Sequence, residues 1–287
     1  MILKKLSTYD FDEGVDISFL QETDDYLFVL QNPRVESSGQ TIAVFDKTLK
    51  HVKTIALRDA VVEGILVKKE GNSIAVVCPR DGIMMIINLD NGMQRELTIP
   101  YISEDDEAGL YPSALYYWQN DELIMYTAYE KIYRINMQTS AVSEIQLQDI
   151  QKQQPLLYAY LLEAKKYPGV SYNIVNATPQ EYQFAFRDGN HKMIGFFDLQ
   201  KNIRYTVPYA GDDIHGIYFY KNHLIVVGCH AIEAVNKQGI QNIYTNSKDR
   251  EMRDAIFISS MESIVVLDLY QNEDGSLCMS MNQFIIQ

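Results

Sequence analysis

The sequence predicts an all-β fold built from six repeated units of four strands each, and three observations support this prediction. Six segments begin with an apolar strand of similar pattern, at residues 15, 62, 112, 170, 214 and 253. Each is followed by a short polar turn and a second apolar strand, and five units continue into a third strand and a more polar fourth strand. The units start 39 to 58 residues apart. Four short antiparallel strands at this period are typical of the blades of a six-bladed β-propeller.

The pattern places the six blades within a single domain that spans residues 1–287, a length that all-β rings commonly reach as one domain. The last unit lacks a fourth strand of its own, while the segment 2–9 precedes the first unit without a partner. Pairing segment 2–9 as the outer strand of the last blade would satisfy both edges and close the ring. The approximate blade boundaries are 15–58, 61–100, 111–148, 169–209, 213–246 and 252–287.

One segment, between the third and fourth blades, does not follow the blade pattern. In residues 149–168, Pro155 stands near a helix start, apolar residues such as Leu157 and Leu161 recur at helical spacing, and lysines and a proline follow. We therefore expect an inserted helix near residues 154–167. Its position in the chain puts it on the face where the inner strands begin.

The ends of several third strands carry a hydrophobic residue followed by a polar turn residue: Phe45-Asp46, Asn88-Leu89-Asp90 and Phe197-Asp198. These endings resemble the strand-turn sequences of the β-propeller superfamily, in particular six-bladed members such as the NHL-repeat, strictosidine-synthase-like and gluconolactonase-like groups. The resemblance covers essentially the whole chain. The WD dipeptide and the kelch double glycine are missing, so the resemblance identifies a superfamily and no single family.

Composition and charge argue against several classes of protein. A net charge of −13 at pH 7 opposes binding to nucleic acid, because phosphate backbones are bound by clustered Lys and Arg. The sequence begins without the apolar core of a signal peptide, and no later stretch contains 18 consecutive apolar residues. The cysteines Cys78, Cys229 and Cys278 lie far apart and outside any C-x-x-C pair, which is typical of reduced, packed thiols. We expect a soluble cytoplasmic protein with no membrane partner.

The first residues of the six inner strands form the main candidate site, because inner strands of a propeller line its channel and start together at the channel mouth. Four of the six are carboxylates or imidazole, the groups that bind cations or transfer protons. The set is Asp16, Glu63, Ser113, Ser171, His215 and Asp254. In one interpretation these side chains only satisfy loop amides and channel water.

In the other interpretation Asp16, Glu63 and Asp254 hold a metal ion and His215 is the general acid or base. The resemblance to gluconolactonase-like enzymes implies such a site, since a divalent cation is held there by acidic and amide side chains at the channel mouth. The cofactor is unknown, and a divalent cation such as calcium, zinc or magnesium would fit these residue types. Ser113 and Ser171 would then contact the ligand, and their place in the ring would leave the metal thinly coordinated.

Loops between second and third strands carry cationic side chains that are expected on the same face: Arg34, Arg80, Arg187 and His230. Paired hydrogen bonds from arginine could hold a carboxylate or a phosphate. Ion pairing with loop acids such as Asp81 and Asp188 explains the same arginines equally well.

Two functional hypotheses follow. The first is a binding propeller that recognises a protein, a peptide or a small anionic ligand on the channel-mouth face. It is favoured by the irregular blades and by the lack of a G-x-S-x-G, H-E-x-x-H, Walker or G-x-G-x-x-G motif. The alternative is a metal-assisted hydrolase, lactonase or lyase that uses the channel-mouth carboxylates and His215. The sequence does not decide whether the protein is an enzyme.

Overall fold

The computed structural model describes residues 1–33, 39–58, 60–99, 112–127, 131–167, 174–211 and 213–287, without the side chains of 112–114. These residues form six sheets of four strands each. The fold is a six-bladed β-propeller, as the sequence predicts. The first strand of the chain, β1 (Leu3–Asp10), belongs to the last sheet rather than to the first.

The strands of the first three blades follow one another in chain order. Blade 1 consists of β2 (Val15–Glu22), β3 (Tyr26–Pro33), β4 (Thr41–Asp46) and β5 (His51–Ala56). Blade 2 consists of β6 (Gly64–Val67), β7 (Ser73–Cys78), β8 (Ile83–Asn88) and β9 (Gln94–Thr98). Blade 3 consists of β10 (Pro112–Gln119), β11 (Glu122–Thr127), β12 (Ile132–Asn136) and β13 (Val142–Ile145).

The next two blades keep this order, and the last has only three strands of its own. Blade 4 consists of β14 (Ile174–Thr178), β15 (Gln183–Asp188), β16 (Met193–Asp198) and β17 (Ile203–Pro208). Blade 5 consists of β18 (Ile214–Tyr220), β19 (His223–Gly228), β20 (Ala231–Asn236) and β21 (Gly239–Thr245). Blade 6 consists of β22 (Arg250–Ile258), β23 (Ser263–Gln271), β24 (Leu277–Ile286) and β1. Short 3-10 turns occupy Pro79–Asp81, Pro179–Glu181 and Ser259–Met261.

The strand β1 completes blade 6 by pairing antiparallel with β24. Beyond the two strands, the N–H of Ile2 donates to the carbonyl of Gln287 at 3.1 Å, and the N–H of Gln287 donates to the carbonyl of Ile2 at 2.9 Å. Side chains extend the pairing, because the Thr8 hydroxyl donates to Oδ1 of Asn282 at 2.8 Å. The predicted closure by segment 2–9 is therefore confirmed, although the strand begins and ends one residue later than predicted, at Leu3 and Asp10.

The contacts of the chain divide it into two compact units. Unit 1 contains Met1–Asp59, Ala185–Phe196 and Tyr205–Gln287, and unit 2 contains Ala60–Phe184 and Phe197–Arg204. In unit 1 a core cluster packs Val29 and Phe45 of blade 1 against Val265 and Met281 of blade 6. In unit 2 a core cluster joins strands of blades 2 and 3 around Trp118.

Burial explains the change from apolar to polar sequence along each blade. The second strands are apolar in their middle because both of their faces are covered there, as at Leu27–Leu30 of β3, where all four residues are buried. The fourth strands β5 and β9 leave most of their residues exposed. The polar fourth strand of each repeat is therefore an outer edge of a sheet.

Bulges interrupt the first strands of several blades. The register shifts between Ser18 and Gln21 in β2, between Ile214 and Gly216 in β18, and between Met252 and Asp254 in β22. An extra residue at a bulge is left out of the ladder, so its side chain or its backbone N–H becomes free for other contacts. These bulges place the side chains of the candidate site.

The inserted helical segment differs in detail from its prediction. It contains two helices, α1 (Leu147–Gln151) and α2 (Pro155–Ala164), where a single helix near 154–167 is expected from the sequence. The carboxylate of Asp149 accepts the N–H of Gln146 at 2.8 Å and thereby caps α1. Pro155 opens α2 as predicted, since proline suits a first helical turn. Neither helix has the length and apolar character needed to span a bilayer, within the residues described.

Helix α2 packs one side into the core of unit 2. Leu157, Tyr160 and Leu161 are buried. The carboxylate of Glu163 contacts Nη1 of Arg204 at 3.0 Å and Nζ of Lys166 at 2.7 Å. Burial alone would raise the pKa of Glu163, but these two cations outweigh it and lower the pKa. The buried face and the ion pairs hold the helix in place.

The Tyr160 hydroxyl is fully buried and contacts no hydrogen-bonding group of the described residues. The ring packs edge-on against Tyr182 and Phe184, with centroid distances of 6.2 and 5.8 Å. We predict that Tyr160→Phe leaves the melting temperature unchanged or raises it, because it removes an unpaired hydroxyl and keeps the ring. Tyr160→Ala should cost about 3–5 kcal/mol. Thermal unfolding of both variants tests this, and an equal loss in both would show that the hydroxyl is bonded.

Candidate functional site

The candidate site lies at what we call the start edge. This is the end of each sheet at which the first strand begins and the second strand ends, and it is distinct from the outer edge formed by the fourth strand. In unit 1 the start edge carries a group of four side chains in contact, His215, Cys229, Glu251 and Arg253, which we call the Cys229 cluster. The cluster is contributed by β18, by the turn after β19, and by β22.

His215 owes its position to the bulge in β18. Ile214 pairs with Gly228 and Gly216 pairs with Val227, so His215 is the extra residue between them. The half-buried imidazole therefore lies beside the turn that begins at Cys229, and its Nε2 is 3.2 Å from the Cys229 sulfur.

Strand β22 supplies the other two members. The N–H of Met252 donates to the carbonyl of Cys229 at 2.8 Å, which fixes the turn against β22. Glu251 and Arg253 flank Met252 in the strand. Oε1 of Glu251 lies 3.6 Å from the Cys229 sulfur. Nη2 of Arg253 lies 2.9 Å from Oε2 of Glu251. Arg253 is the extra residue of the β22 bulge, and 48% of its side chain is exposed.

The surroundings keep both the imidazole and the thiol uncharged. Burial lowers the pKa of His215, and the positive charge of Arg253 lowers it further, against smaller opposite effects of Glu251 and Asp213. Burial raises the pKa of Cys229, and the negative charges of Asp213 and Glu251 add to the increase. At neutral pH the cluster therefore contains a neutral base in contact with a protonated thiol.

Asp254 lies in a different position from the one expected. The sequence interpretation puts it at the start of its strand, but β22 begins at Arg250 and Asp254 lies in its middle. Its carboxylate accepts the N–H of Leu20 at 3.1 Å and that of Ala255 at 2.8 Å. Burial raises the pKa of Asp254 to about 6, although both N–H groups act to lower it. The bulge in β2, with Phe19 at a φ of 55°, leaves the Leu20 N–H unpaired in the ladder and free for this bond.

The two acids at the starts of blades 1 and 2 have unlike environments. Asp16, in β2 of unit 1, is exposed. Glu63, in unit 2, precedes β6, and its Oε1 contacts Nε of Arg80 at 2.9 Å. The neighbouring Asp81 accepts the N–H of Val61 at 2.9 Å. Arg80 is expected from the sequence to bind a ligand. Its ion pair with Glu63 is the kind of contact described by the other interpretation, in which these arginines pair with nearby acids.

The remaining predicted residues are partly described. His230 is exposed in the turn after β19, with Nδ1 at 3.1 Å from the carbonyl of Arg250. Arg187 is half-buried inside β15, which continues to Asp188, so it is a strand residue rather than a loop residue. Ser113 lies in β10. Arg34 and Ser171 lie outside the described residues.

The residues proposed from the sequence as metal ligands do not fit a divalent cation site. Within the described parts of the chain, no group of three His, Cys, Asp or Glu side chains is placed to hold a metal ion. Glu63 is paired with Arg80 and Asp254 is bound by two backbone N–H groups. We therefore derive no chemistry through a metal.

The repeat pattern marks His215 but not its three partners. The spacing of Cys229 favours a packed thiol, and Glu251 and Arg253 precede the conspicuous Asp254. The signal that could have found Cys229 is its neighbour His230 in the Gly-Cys-His-Ala turn, which was already expected at this edge. Nothing in the repeat pattern marks Arg253, because a bulge of one residue is invisible in it.

Comparison with known proteins supports no family assignment. No family model matches the chain, and no curated protein matches it. Among solved structures it is similar to a streptogramin B lyase, with 13% identity, a TM-score of 0.44, and coverage of 99% of this chain and 88% of that one. It is also similar to the β-propeller domain of Myceliophteria thermophila Cps50 (Swd1), with 12% identity, a TM-score of 0.41, and coverage of 94% and 87%.

Proposed function

We propose that this protein is a non-catalytic binding propeller whose start edge in unit 1 recognises an anionic group, either on a small molecule or on an acidic side chain of a peptide or protein. The observation that carries the proposal is the exposed guanidinium of Arg253, which lies close enough to the imidazole of His215 to act on its pKa. A guanidinium supplies several hydrogen-bond donors for a carboxylate or a phosphate.

The geometry of Arg253 supports this use. A guanidinium has five N–H donors in a planar fork, and its contact with Glu251 engages Nη2, so further donors remain for a ligand. The bulge holds Arg253 outside the ladder of β22, and the Met252 N–H bond anchors the strand directly beside it. A donor held on an anchored strand loses little conformational entropy on binding.

The engagement of the acids supports binding rather than metal-assisted catalysis. A metal-assisted hydrolase would need carboxylates free to bind a cation, whereas Glu63 is bound to Arg80 and Asp254 to two backbone N–H groups. Asp16 is the one exposed acid among the three proposed ligands.

A thermal-shift and calorimetric titration tests the proposal. Inorganic phosphate, succinate and an acetylated diglutamate peptide are added to the full chain in the presence of a chelator. We expect at least one of them to raise the melting temperature as it saturates the site. Stoichiometric divalent metal in the purified protein, with stabilisation that the chelator abolishes, would contradict the proposal, and so would a lack of response to all three anions.

The Arg253→Gln variant makes the test specific. Loss of a charge-assisted hydrogen bond should weaken binding of the best anion about tenfold or more. Lys237→Gln is the matched control, because Lys237 is exposed in the turn after β20 and its replacement removes the same charge at the other end of that strand. Equal weakening in both variants would show a general charge effect and contradict a site at Arg253.

A further inference from the structure

We propose that Cys229 is a thiol modification site, at which His215 accepts the thiol proton and a small disulfide, preferably one that carries a carboxylate, forms a mixed disulfide with the protein. The reaction of the thiol does not require the anion-binding function, whereas the preference for a carboxylate rests on it, because both use the guanidinium of Arg253. The proposal rests on the contacts of the Cys229 cluster and on the unlike burial of the three cysteines.

Cys229 is the accessible thiol of the chain. All three cysteines are free, and Cys78 and Cys278 are buried, with exposures of 0% and 3%. Cys229 is half-buried at the start of a surface turn. A small reagent can therefore reach Cys229 in the folded protein, while the other two thiols require the strands β7 and β24 to open.

The contacts around Cys229 give its single proton two acceptors. Nε2 of His215 lies 3.2 Å from the sulfur, and Oε1 of Glu251 lies 3.6 Å from it. The imidazole is the proposed acceptor, because its nitrogen lies nearer to the sulfur than the carboxylate oxygen does. A base within hydrogen-bond reach of a nucleophile is one of the arrangements that activate a thiol.

The charges that face the sulfur explain why a base is needed. Burial disfavours the thiolate most, Asp213 and Glu251 add to this effect, and Arg253 favours the thiolate to a smaller extent, so Cys229 remains protonated at neutral pH. The thiolate is the reactive form of cysteine. His215 is neutral under the same conditions and can accept the proton as the sulfur attacks.

The proposed step balances without any other reactant. The Cys229 sulfur attacks one sulfur of the disulfide, so a new S–S bond forms while the original S–S bond breaks. The proton passes from the thiol to Nε2 of His215 and then to the departing thiolate. Cys229 is oxidised to the mixed disulfide, and the other half of the reagent leaves as a reduced thiol. Since Cys78 and Cys278 are buried, an external thiol is needed to reverse the reaction.

Arg253 gives the site its preference among disulfides. Its side chain is 48% exposed, and its guanidinium contacts Glu251 within the cluster. A carboxylate on the incoming disulfide would pair with this guanidinium and hold the reagent near the sulfur. We therefore expect anionic disulfides to react faster than neutral ones.

The experiment treats the native full chain with dithiobis-nitrobenzoate, a disulfide that carries two carboxylates, and locates the adduct by peptide mass mapping. We expect one equivalent of released thionitrobenzoate and an adduct on Cys229. Cys229→Ser should no longer release this equivalent of thionitrobenzoate. Release that is equal at all three cysteines, or unchanged in Cys229→Ser, would overturn the proposal.

The role of His215 has its own readout. His215→Gln should slow the reaction at pH 7 about tenfold or more, and the difference should narrow at alkaline pH, where the thiolate forms without a base. His223→Gln is the matched control, because His223 lies at the opposite end of β19 from the Cys229 turn. An unchanged rate in His215→Gln at pH 7, with circular dichroism showing a folded protein, would overturn the assignment of the base.

Arg253→Gln separates the preference for charge from the reactivity of the thiol. It should slow the reaction with dithiobis-nitrobenzoate more than the reaction with neutral dipyridyl disulfide. Equal slowing of both reagents would contradict a contact between Arg253 and the carboxylate.

Discussion

Deletion of residues 1–9 should abolish cooperative folding of the chain or reduce its stability by about 5 kcal/mol or more, a large part of the 5–15 kcal/mol that typical domains possess. The deletion removes the partner strand of β24 along its length. It also removes the ring of Tyr9, which packs at 4.7 Å from Phe45 of blade 1 and so joins blade 6 to blade 1. The freed edge of β24 would be open to pairing with other chains.

Urea unfolding monitored by circular dichroism, together with light scattering, measures this effect. A circular permutant is the matched control. It joins Gln287 to Ile2 through an Asn-Gly turn that replaces Met1. Its new termini lie between Asp12 and Glu13, which are both exposed. The paired hydrogen bonds between Ile2 and Gln287 suit a two-residue hairpin turn. We expect the permutant to fold with nearly the stability of the parent. A deletion variant that unfolds at the same urea concentration as the parent would show that β1 is not needed for closure.

Replacement of Asp254 by asparagine should flatten the pH dependence of stability between about pH 4 and pH 6. Burial raises the pKa of Asp254 to about 6 in the folded protein, from an ordinary value of 3.8. The folded state therefore binds the proton more tightly than the unfolded state. The contribution of this group to the free energy of unfolding is greatest below the ordinary pKa and decreases as the pH rises through 6, by up to about 3 kcal/mol.

Urea unfolding of both proteins at several pH values between 4 and 8 isolates this contribution as the difference between the two curves. The amide introduced by Asp254→Asn cannot ionise and has one acceptor oxygen for two N–H groups, so the variant should lose more stability at pH 4.5 than at pH 7.5. Asp16→Asn is the control, since Asp16 is an exposed carboxylate on the same strand as Leu20. Parallel curves for the parent protein and Asp254→Asn would contradict a shifted carboxyl at this position.

The repeat pattern was sufficient to predict the fold and the closure by β1. The second strands are apolar because both of their faces are buried, and the fourth strands are polar because they lie at an outer edge. The two kinds of strand therefore differ in amino-acid composition. Segment 2–9 lacked a partner strand and the last unit lacked a fourth strand, so pairing segment 2–9 with the last unit accounted for both. The inserted helix was predicted in place, but the additional short helix α1, whose first turn Asp149 caps through the N–H of Gln146, was not.

The candidate site could be predicted only in part. His215 was identified because it stands at the start of a repeat, and it does belong to the cluster at the start edge of unit 1. Asp254 was identified for the same reason, yet it lies in the middle of β22 and bonds to Leu20. The strand begins earlier than its apolar pattern does, since its first residues, Arg250 and Glu251, are polar.

By itself the sequence determined the six four-stranded blades, the polar outer strands and the closing strand, because these depend on hydrophobic patterns that repeat along the chain. Only the tertiary structure decided which side chains meet. Bulges of one residue in β18 and β22 turn His215 and Arg253 out of their ladders, and the bond from Met252 to Cys229 brings two blades together at that point. A bulge changes the direction of one side chain without changing the hydrophobic pattern around it, so the Cys229 cluster is a property of the folded chain alone.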